Sequence, residues 1–275
     1  MKLSIVVVNL NTIDLTRECF DSIYKNKPKF KFEIIAVDNG SNDGSVEMIK
    51  KYAEKYDNFY FILNDSNTGY AKANNQGVKM ARGKYILLLN NDTVVYKGSL
   101  NVLIEEAERL KDAGVLGSKL LNSDGSLQMS CFNFPTIKNA IVHYFIPGGK
   151  KLLEKFAPLG TATTTVDSVV GAVFLITPKA RKYVGILDEK YFAYFEDIDY
   201  CRQVWKKGMK VYYVPKSIIL HYHGATFKKL ANESERWKKL IPSSKLYHGL
   251  FTHYLINFII WTGQKYEKIK QMFVS

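Results

Sequence analysis

The chain of 275 residues holds only three cysteines, Cys19, Cys131 and Cys201. They form no CxxC pair and no disulfide framework, so a reducing compartment is expected. There is no internal repeat and no low-complexity tract. Charged residues make up 24% and apolar residues 47%, which excludes a disordered chain, a collagen-like repeat and a polytopic membrane protein. No run of five basic residues occurs, although 39 Lys and Arg against 26 Asp and Glu leave a net charge of +13. No G-x-G-x-x-G follows the first apolar run, so the dinucleotide fingerprint is missing. Gly77 to Lys84 is one residue too long for a P-loop, with Tyr85 where Ser or Thr is needed, and no G-x-S-x-G elbow exists. The opening MKLSIVVVNLN turns polar too soon for a signal peptide and reads as a buried first strand.

What is present is an alternation of strand and helix. Leu3 to Val8, Glu33 to Val37, Phe59 to Leu63 and Tyr85 to Leu89 are short apolar, β-branched or aromatic runs. Between them, Leu15 to Tyr24, a segment capped by Ser45 and running to Tyr56, and Tyr70 to Ala81 have helical spacing. This predicts an α/β fold with a mostly parallel sheet flanked by helices. Polar loops follow each strand, and in such sheets ligands bind beyond the carboxyl ends of the strands. Asn9 and Asn11, then Asp38, Gly40 and Ser41, then Asn67 and Gly69, then Asn90, Asn91 and Asp92 are therefore expected on one rim. In the second half, Val166 to Ile176 reads as one long strand interrupted by Gly171, Glu196 to Lys207 as a helix, and Val211 to Val214 and Ile218 to His223 as two strands.

Several constellations carry chemistry. Asp38 can accept from the ring N–H of a nucleobase, with Gly40 allowing close backbone approach; the same residues also make an ordinary turn. Gly69 ahead of a helix offers backbone N–H groups to phosphate, with Lys72 beside it. Asn90 and Asp92 fall on one side of an extended strand and suit Mg²⁺ or Mn²⁺, Asp92 as direct ligand and Asn90 through water. Glu196, Asp197 and Asp199 open a helix behind an aromatic run, where an ionised carboxylate can act as general base. His221 and His223 alternate onto one strand face, and either can complete a metal site with Asp92.

Taken in order, IVVVNLN, DNGSNDGS, NTGYAKANNQG, LLLNNDT, DGSLQMSCFNFP, VVGAVFLI, LDEKYFAYFEDIDYCRQVWKKG and HYHGAT resemble the family 2 glycosyltransferases, more narrowly their rhamnosyltransferase-like branch. The resemblance runs from Lys2 to Thr226 and implies a GT-A fold with a C-terminal helical appendage. It implies residues 1–227 as the catalytic domain, with a nucleotide-binding half at about 1–115 and an acceptor-binding half at 116–227, and a basic amphipathic region at 228–275. It implies Asp38 as the nucleobase carboxylate and Asn90-Asn91-Asp92 in the place of the DxD metal motif, with Asn at its first position. It also implies Asp197 as catalytic base, His221 on the metal or diphosphate with His223 as substitute, and Gly171 and Ala172 beside the donor sugar. The implied reaction is an inverting transfer from a nucleoside-diphosphate sugar, dTDP-rhamnose or a UDP-sugar, to a glycan or lipid-linked acceptor in polysaccharide or cell-envelope assembly, assisted by Mg²⁺ or Mn²⁺.

Two other classes stay open on the residues: a nucleotidyltransferase, and a non-catalytic subunit of a polysaccharide assembly complex. Nucleic acid rests on charge alone and is not expected as a partner. The basic residues concentrate at Lys25 to Lys31, at Lys150 and Lys151, and from Lys228 to Lys245. Residues 246–264 lack Lys, Arg, Asp and Glu, which is borderline for a span of about 20 residues. This stretch suits a helix in a membrane interface, or one packed on the catalytic domain or a second subunit. The expected location is cytoplasmic, at the inner face of the membrane if 228–270 makes peripheral contact, with oligomeric state open.

Overall fold

The computed structural model describes residues 1–146, 152–222 and 233–272, with backbone alone at 233–236, 270 and 271. Lys150, Lys151, His223, Thr226 and Lys228 lie outside the described residues. In the first half, strands β1 (Leu3–Asn9), β2 (Phe32–Asp38), β3 (Phe59–Leu63) and β4 (Tyr85–Leu89) alternate with helices α1 (Ile13–Lys25), α2 (Ser45–Lys55) and α3 (Tyr70–Met80). Then come β5 (Thr93–Val95), α4 (Ser99–Arg109), β6 (Ala113–Leu121), β7 (Leu127–Gln128), β8 (Cys131–Phe132) and α5 (Ile137–Phe145). The remainder is β9 (Thr164–Val166), β10 (Ser168–Val169), β11 (Val173–Ile176), α6 (Pro178–Tyr183), α7 (Glu196–Lys206), β12 (Lys210–His221), α8 (Glu233–His248) and α9 (Leu250–Met272).

The main sheet runs β3-β2-β1-β4-β11-β6-β12-β5. Pairs β3–β2, β2–β1, β1–β4 and β6–β12 are parallel; β11 and β5 pair antiparallel with their neighbours. Strand β1 shows why the sheet is covered on both sides. Ile5 and Val7 pack with Phe20, Ile49 and Leu103, from α1, α2 and α4. Val6 packs the other way with Ala73, Val78 and Val204, from α3 and α7. All three side chains are fully buried, as a period-two strand between two helical layers requires.

Three local expectations change. Helix α2 is capped at Gly44, in the left-handed region, and Ser45 is its first residue; the Asp43 carboxylate takes the Ser45 N–H. The run from Val166 to Ile176 is interrupted around Gly171 as expected and breaks a second time at Asp167, which leaves the ladder to accept the Phe134 N–H on its side chain and the Trp205 indole on its carbonyl. The last two expected strands are one, β12, with a register break between Val214 and Ile218. Ser217 anchors that break by donating to the Ser99 carbonyl.

The C-terminal helices close one side of the molecule. Gly249, left-handed, separates α8 from α9. Tyr247 at the end of α8 packs on Tyr191 and Ile198, and the Arg202 guanidinium stacks 3.8 Å from its ring. Ile256 and Ile259 of α9 pack on Ala140 of α5. Among the described residues, no helix is long and apolar enough to cross a membrane.

Candidate active site

The rim is built around Asn9, the fully buried last residue of β1. Its Nδ2 donates to Asp38 Oδ2 (2.8 Å) and Ser41 Oγ (3.0 Å), while Oδ1 accepts from Thr12, Thr16 and Asn91. The Asp38 carboxylate also accepts the N–H groups of Gly40 and Ser41. Asn11, at φ 51°, accepts the Asn42 N–H and gives its own to Ser41. Gly40 has φ +88°, and a Cβ there would fall 2.7 Å from Ser66 Cα. The close approach it permits is to the chain's own 64–68 loop.

The chain turns directly after β4. The Asn91 amide is drawn into the Asn9 knot by Thr12 and Thr16, so residues 90 to 92 are not extended as expected. Asp92 is buried, and its Oδ1 lies 3.2 Å from His221 Nε2 at the end of β12. The orientation of that ring is set by Gln128. Its Nε2 donates to the His221 carbonyl (3.0 Å) and to Asn122 Oδ1 (2.8 Å). Its Oε1 therefore faces His221 Nδ1 at 2.7 Å, and this assignment puts a proton on Nδ1. Nε2 is thereby directed at Asp92, whose Oδ1 accepts no hydrogen bond among the described residues. A buried imidazole nitrogen facing a carboxylate oxygen fits a shared cation.

The third part is the start of α7. Tyr194 and Phe195 precede it with φ 69° and 70°. Two consecutive left-handed residues other than glycine cost about 1–3 kcal/mol each. The loop holding them is pinned to α3. The Tyr70 N–H donates to the Phe192 carbonyl at 2.7 Å, and a Cβ on Gly69 would strike that same oxygen at 2.7 Å. Asp197 then accepts the Gly171 N–H on Oδ2 (2.9 Å) and the Ile198 N–H on Oδ1 (2.8 Å). Burial pushes the Asp197 carboxyl up, opposed by these two N–H groups and by Lys155. Burial raises Glu196 as well, and the Asp197 charge raises it further. Glu196 Oε2 finds no donor among the described residues, so Asp197 holds the negative charge of the pair and Glu196 the proton. Tyr70 Oη lies 3.0 Å from the Gly171 carbonyl and 3.1 Å from Asn90 Oδ1. Burial and then the charges of Glu196 and Asp197 push its pKa well above 10.0, so it stays a donor.

These parts open on one cavity of about 810 Å³. Asn90, Asp92 and His221 line it together with Gly171, Ala172, Glu196 and Asp197. It continues over a largely apolar stretch formed by Phe132, Leu153, Phe192, Trp237, Leu240 and Ile256.

Residues 4–156 match the family model of glycosyl transferase family 2. The chain belongs to glycosyl transferase family 2. Relatives set this family 2 member with the rhamnosyltransferase-like branch. It is 27% identical over 212 residues to the N-acetylglucosaminyl-diphospho-decaprenol L-rhamnosyltransferase of Mycobacterium tuberculosis, covering 69% of this chain and 66% of that protein. It is 24% identical over 248 residues to the cholesterol galactosyltransferase of Borreliella burgdorferi, covering 85% of this chain and 62% of that one. The chain thus spans a little under two thirds of these relatives' length. The fold is GT-A. The mannosyltransferase PcManGT from Pyrobaculum calidifontis, solved with GDP-Man and Mn²⁺, superposes with TM-score 0.63 at 15% identity, over 96% of this chain and 73% of that one. GalNAc-T7, solved with UDP, GalNAc and Mn²⁺, superposes with TM-score 0.64 at 16% identity, over 80% and 44%.

Set on this family 2 fold, the expected site residues divide. The structure brings Asp92, Asn90, Asn91, His221, Glu196, Asp197, Gly171, Ala172, Asn67 and Gly69 to one cavity. Asp38 is 1% exposed and lies beneath the cavity wall, where its neighbour Asn39 reaches the lining. Asn9, Asn11, Gly40 and Ser41 build the rim without lining the cavity. Lys72 is exposed on the outer side of α3, where its charge acts on Glu189. The Gly69 N–H goes to Asn67 Oδ1 at 3.0 Å. His223 lies outside the described residues, and among those described no three His, Cys, Asp or Glu side chains converge on one metal position. Gln128, Tyr70 and Asn39 are the residues that sequence reasoning missed. Gln128 lies inside the DGSLQMSCFNFP segment, but only the fold sets it against a histidine 93 positions away.

Proposed function

We propose that this chain is an inverting glycosyltransferase. It moves a sugar from a nucleoside-diphosphate donor, dTDP-rhamnose or a UDP-sugar, to a hydroxyl of a glycan or lipid-linked acceptor. The observation that carries the reading is the placement of Asp197 on the cavity that also holds the Asp92–His221 pair. Asp197 is the ionised member of a buried acidic pair, raised above the ordinary carboxylate range by burial. Such a group is poised as a general base. It accepts the proton of the acceptor hydroxyl as that oxygen bonds the anomeric carbon, while the bond from that carbon to the diphosphate oxygen breaks. Attack from the face opposite the leaving group gives inversion in one displacement.

A divalent ion fits Asp92 Oδ1 and His221 Nε2, with Asn90 beside them, since hard cations of this kind take few protein ligands plus substrate phosphates. When bound it would supply charge to offset the departing diphosphate. Asn39 and Asn67, on the β2 and β3 loops, line the cavity with their amides joined by a hydrogen bond, and we assign the nucleotide to that end. The apolar stretch, together with the diphospho-decaprenol named for the mycobacterial relative, supports a lipid-linked acceptor. We take residues 1–227 as the catalytic unit and 228–275 as its appendage.

The test is incubation with a panel of nucleotide sugars, dTDP-rhamnose first, and polyprenyl-diphosphate-linked acceptors, with and without Mn²⁺. Release of a nucleoside diphosphate with an elongated acceptor is expected. Release of pyrophosphate would assign a nucleotidyltransferase, and binding of donor without turnover on any acceptor a non-catalytic subunit.

A further inference from the structure

Helix α9 has two apolar faces and only one is covered. Ile256, Ile259 and Gly263 face α5, and the approach at Gly263 is so close that a Cβ there would lie 2.2 Å from the Tyr144 ring. At about 100° per residue, Tyr254, Phe258, Trp261, Lys265 and Met272 share one sector on the opposite side. That side is bare: Phe251 is 79%, Phe258 60% and Met272 77% exposed. Soluble monomers rarely leave so continuous a row of large apolar side chains in water.

Charge shows what covers it. Lys265 Nζ sits 4.0 Å over the Trp261 ring, and Lys245 Nζ 5.2 Å over Tyr254. The ammonium groups thus lie over the aromatic faces and hold positive charge beside the apolar side chains. Lys268 adds another exposed cation, and Glu267, the one acid in α9, falls off this sector. A second copy of the chain would set these lysines against its own, with no acid on either face to answer them. Lipid phosphates would answer them directly. The 23 residues of α9 are not apolar enough to cross a membrane, whereas a helix lying in the plane of the interface needs only one apolar face. We propose that the outer face of α9 docks the protein on an acidic phospholipid surface, with Phe251, Phe258 and Trp261 entering the interfacial layer and Lys265 and Lys268 pairing with phosphates.

The experiment is flotation of the full chain with vesicles of phosphatidylcholine alone or mixed with phosphatidylglycerol, at low and physiological salt. The protein is expected to float with the mixed vesicles and not with phosphatidylcholine alone. Phe258→Ser with Trp261→Ser, and separately Lys265→Gln with Lys268→Gln, should each raise the lipid needed for half-binding by about ten-fold or more. Both pairs of side chains are exposed, so thermal unfolding should be unchanged and serves as the folding control. Wild type that fails to float, floats equally on both vesicles, or floats no better than the Phe258→Ser, Trp261→Ser variant overturns the proposal. So does a lipid-free dimer in analytical ultracentrifugation that this same variant converts to monomer.

Discussion

Asp197→Asn separates the two duties of the carboxylate at the head of α7. In the native site each oxygen accepts one backbone N–H, from Gly171 at 2.9 Å and Ile198 at 2.8 Å. Asparagine has a single acceptor oxygen, so one of these N–H groups is left facing an amide. An orphaned buried donor costs about 1–3 kcal/mol, which at this chain length lowers the melting temperature by roughly 2–5 °C. Loss of the base should reduce turnover by about 10²–10⁴-fold. That is about 3–5 kcal/mol on the barrier, more than the structural cost. Donor affinity should stay nearly unchanged, because the base meets the acceptor and not the nucleotide. Removing the Asp197 charge also relieves one of the two causes that raise Glu196, so residual activity should pass through Glu196 and vanish in the Asp197→Asn, Glu196→Gln pair. The assay is nucleoside diphosphate release at saturating donor and acceptor, beside donor titration by calorimetry. Turnover within about three-fold of wild type would refute the assignment, as would a loss confined to donor affinity.

Asp92→Ala should abolish the dependence of donor binding on Mn²⁺, read by thermal shift with and without the ion; an unchanged ion titration would count against the pair with His221. Gln128→Leu removes the acceptor that holds Nδ1–H of His221 and should weaken Mn²⁺ binding by about 10–100-fold in calorimetry, with little change in donor binding measured without metal. Glu33 gives an acid-stability signature. Burial pushes its carboxyl up, but hydrogen bonds from Ser4 and then Arg82 outweigh this and hold it below 4.5. A lowered folded-state value means its contribution is present above pH 4.5 and disappears as pH falls through that lower value. Glu33→Gln should therefore cost about 2 kcal/mol at neutral pH and flatten the acid limb of unfolding.

Residues 3 to 89 were legible because their signals are local. The limits of β3 and β4 match the expected ones, and those of β1, β2 and α3 agree to within a residue. The turn at 90–92 was not legible. Extended geometry follows from spacing, whereas the actual bend depends on Thr12 and Thr16 pulling the Asn91 amide across from α1. The same holds for the chemistry. Asp92, His221 and Asp197 could be named from motifs, but the way His221 faces Asp92 depends on Gln128, placed by the pairing of β7 with β6 and of β6 with β12. Asp38 was legible as a polar strand end, but its burial was not. Alternation in β2 turns its side chain into the Asn9 knot and leaves Asn39 at the surface of the cavity.

Tyr70 has one hydroxyl proton and two oxygens competing for it, Asn90 Oδ1 and the Gly171 carbonyl. A gain at one is a loss at the other, so the phenol works as a see-saw between the segment that ends β4 and the loop gripped by Asp197. Drawing the Asn90 oxygen aside would leave that proton to the Gly171 carbonyl, on the residue whose N–H Asp197 accepts.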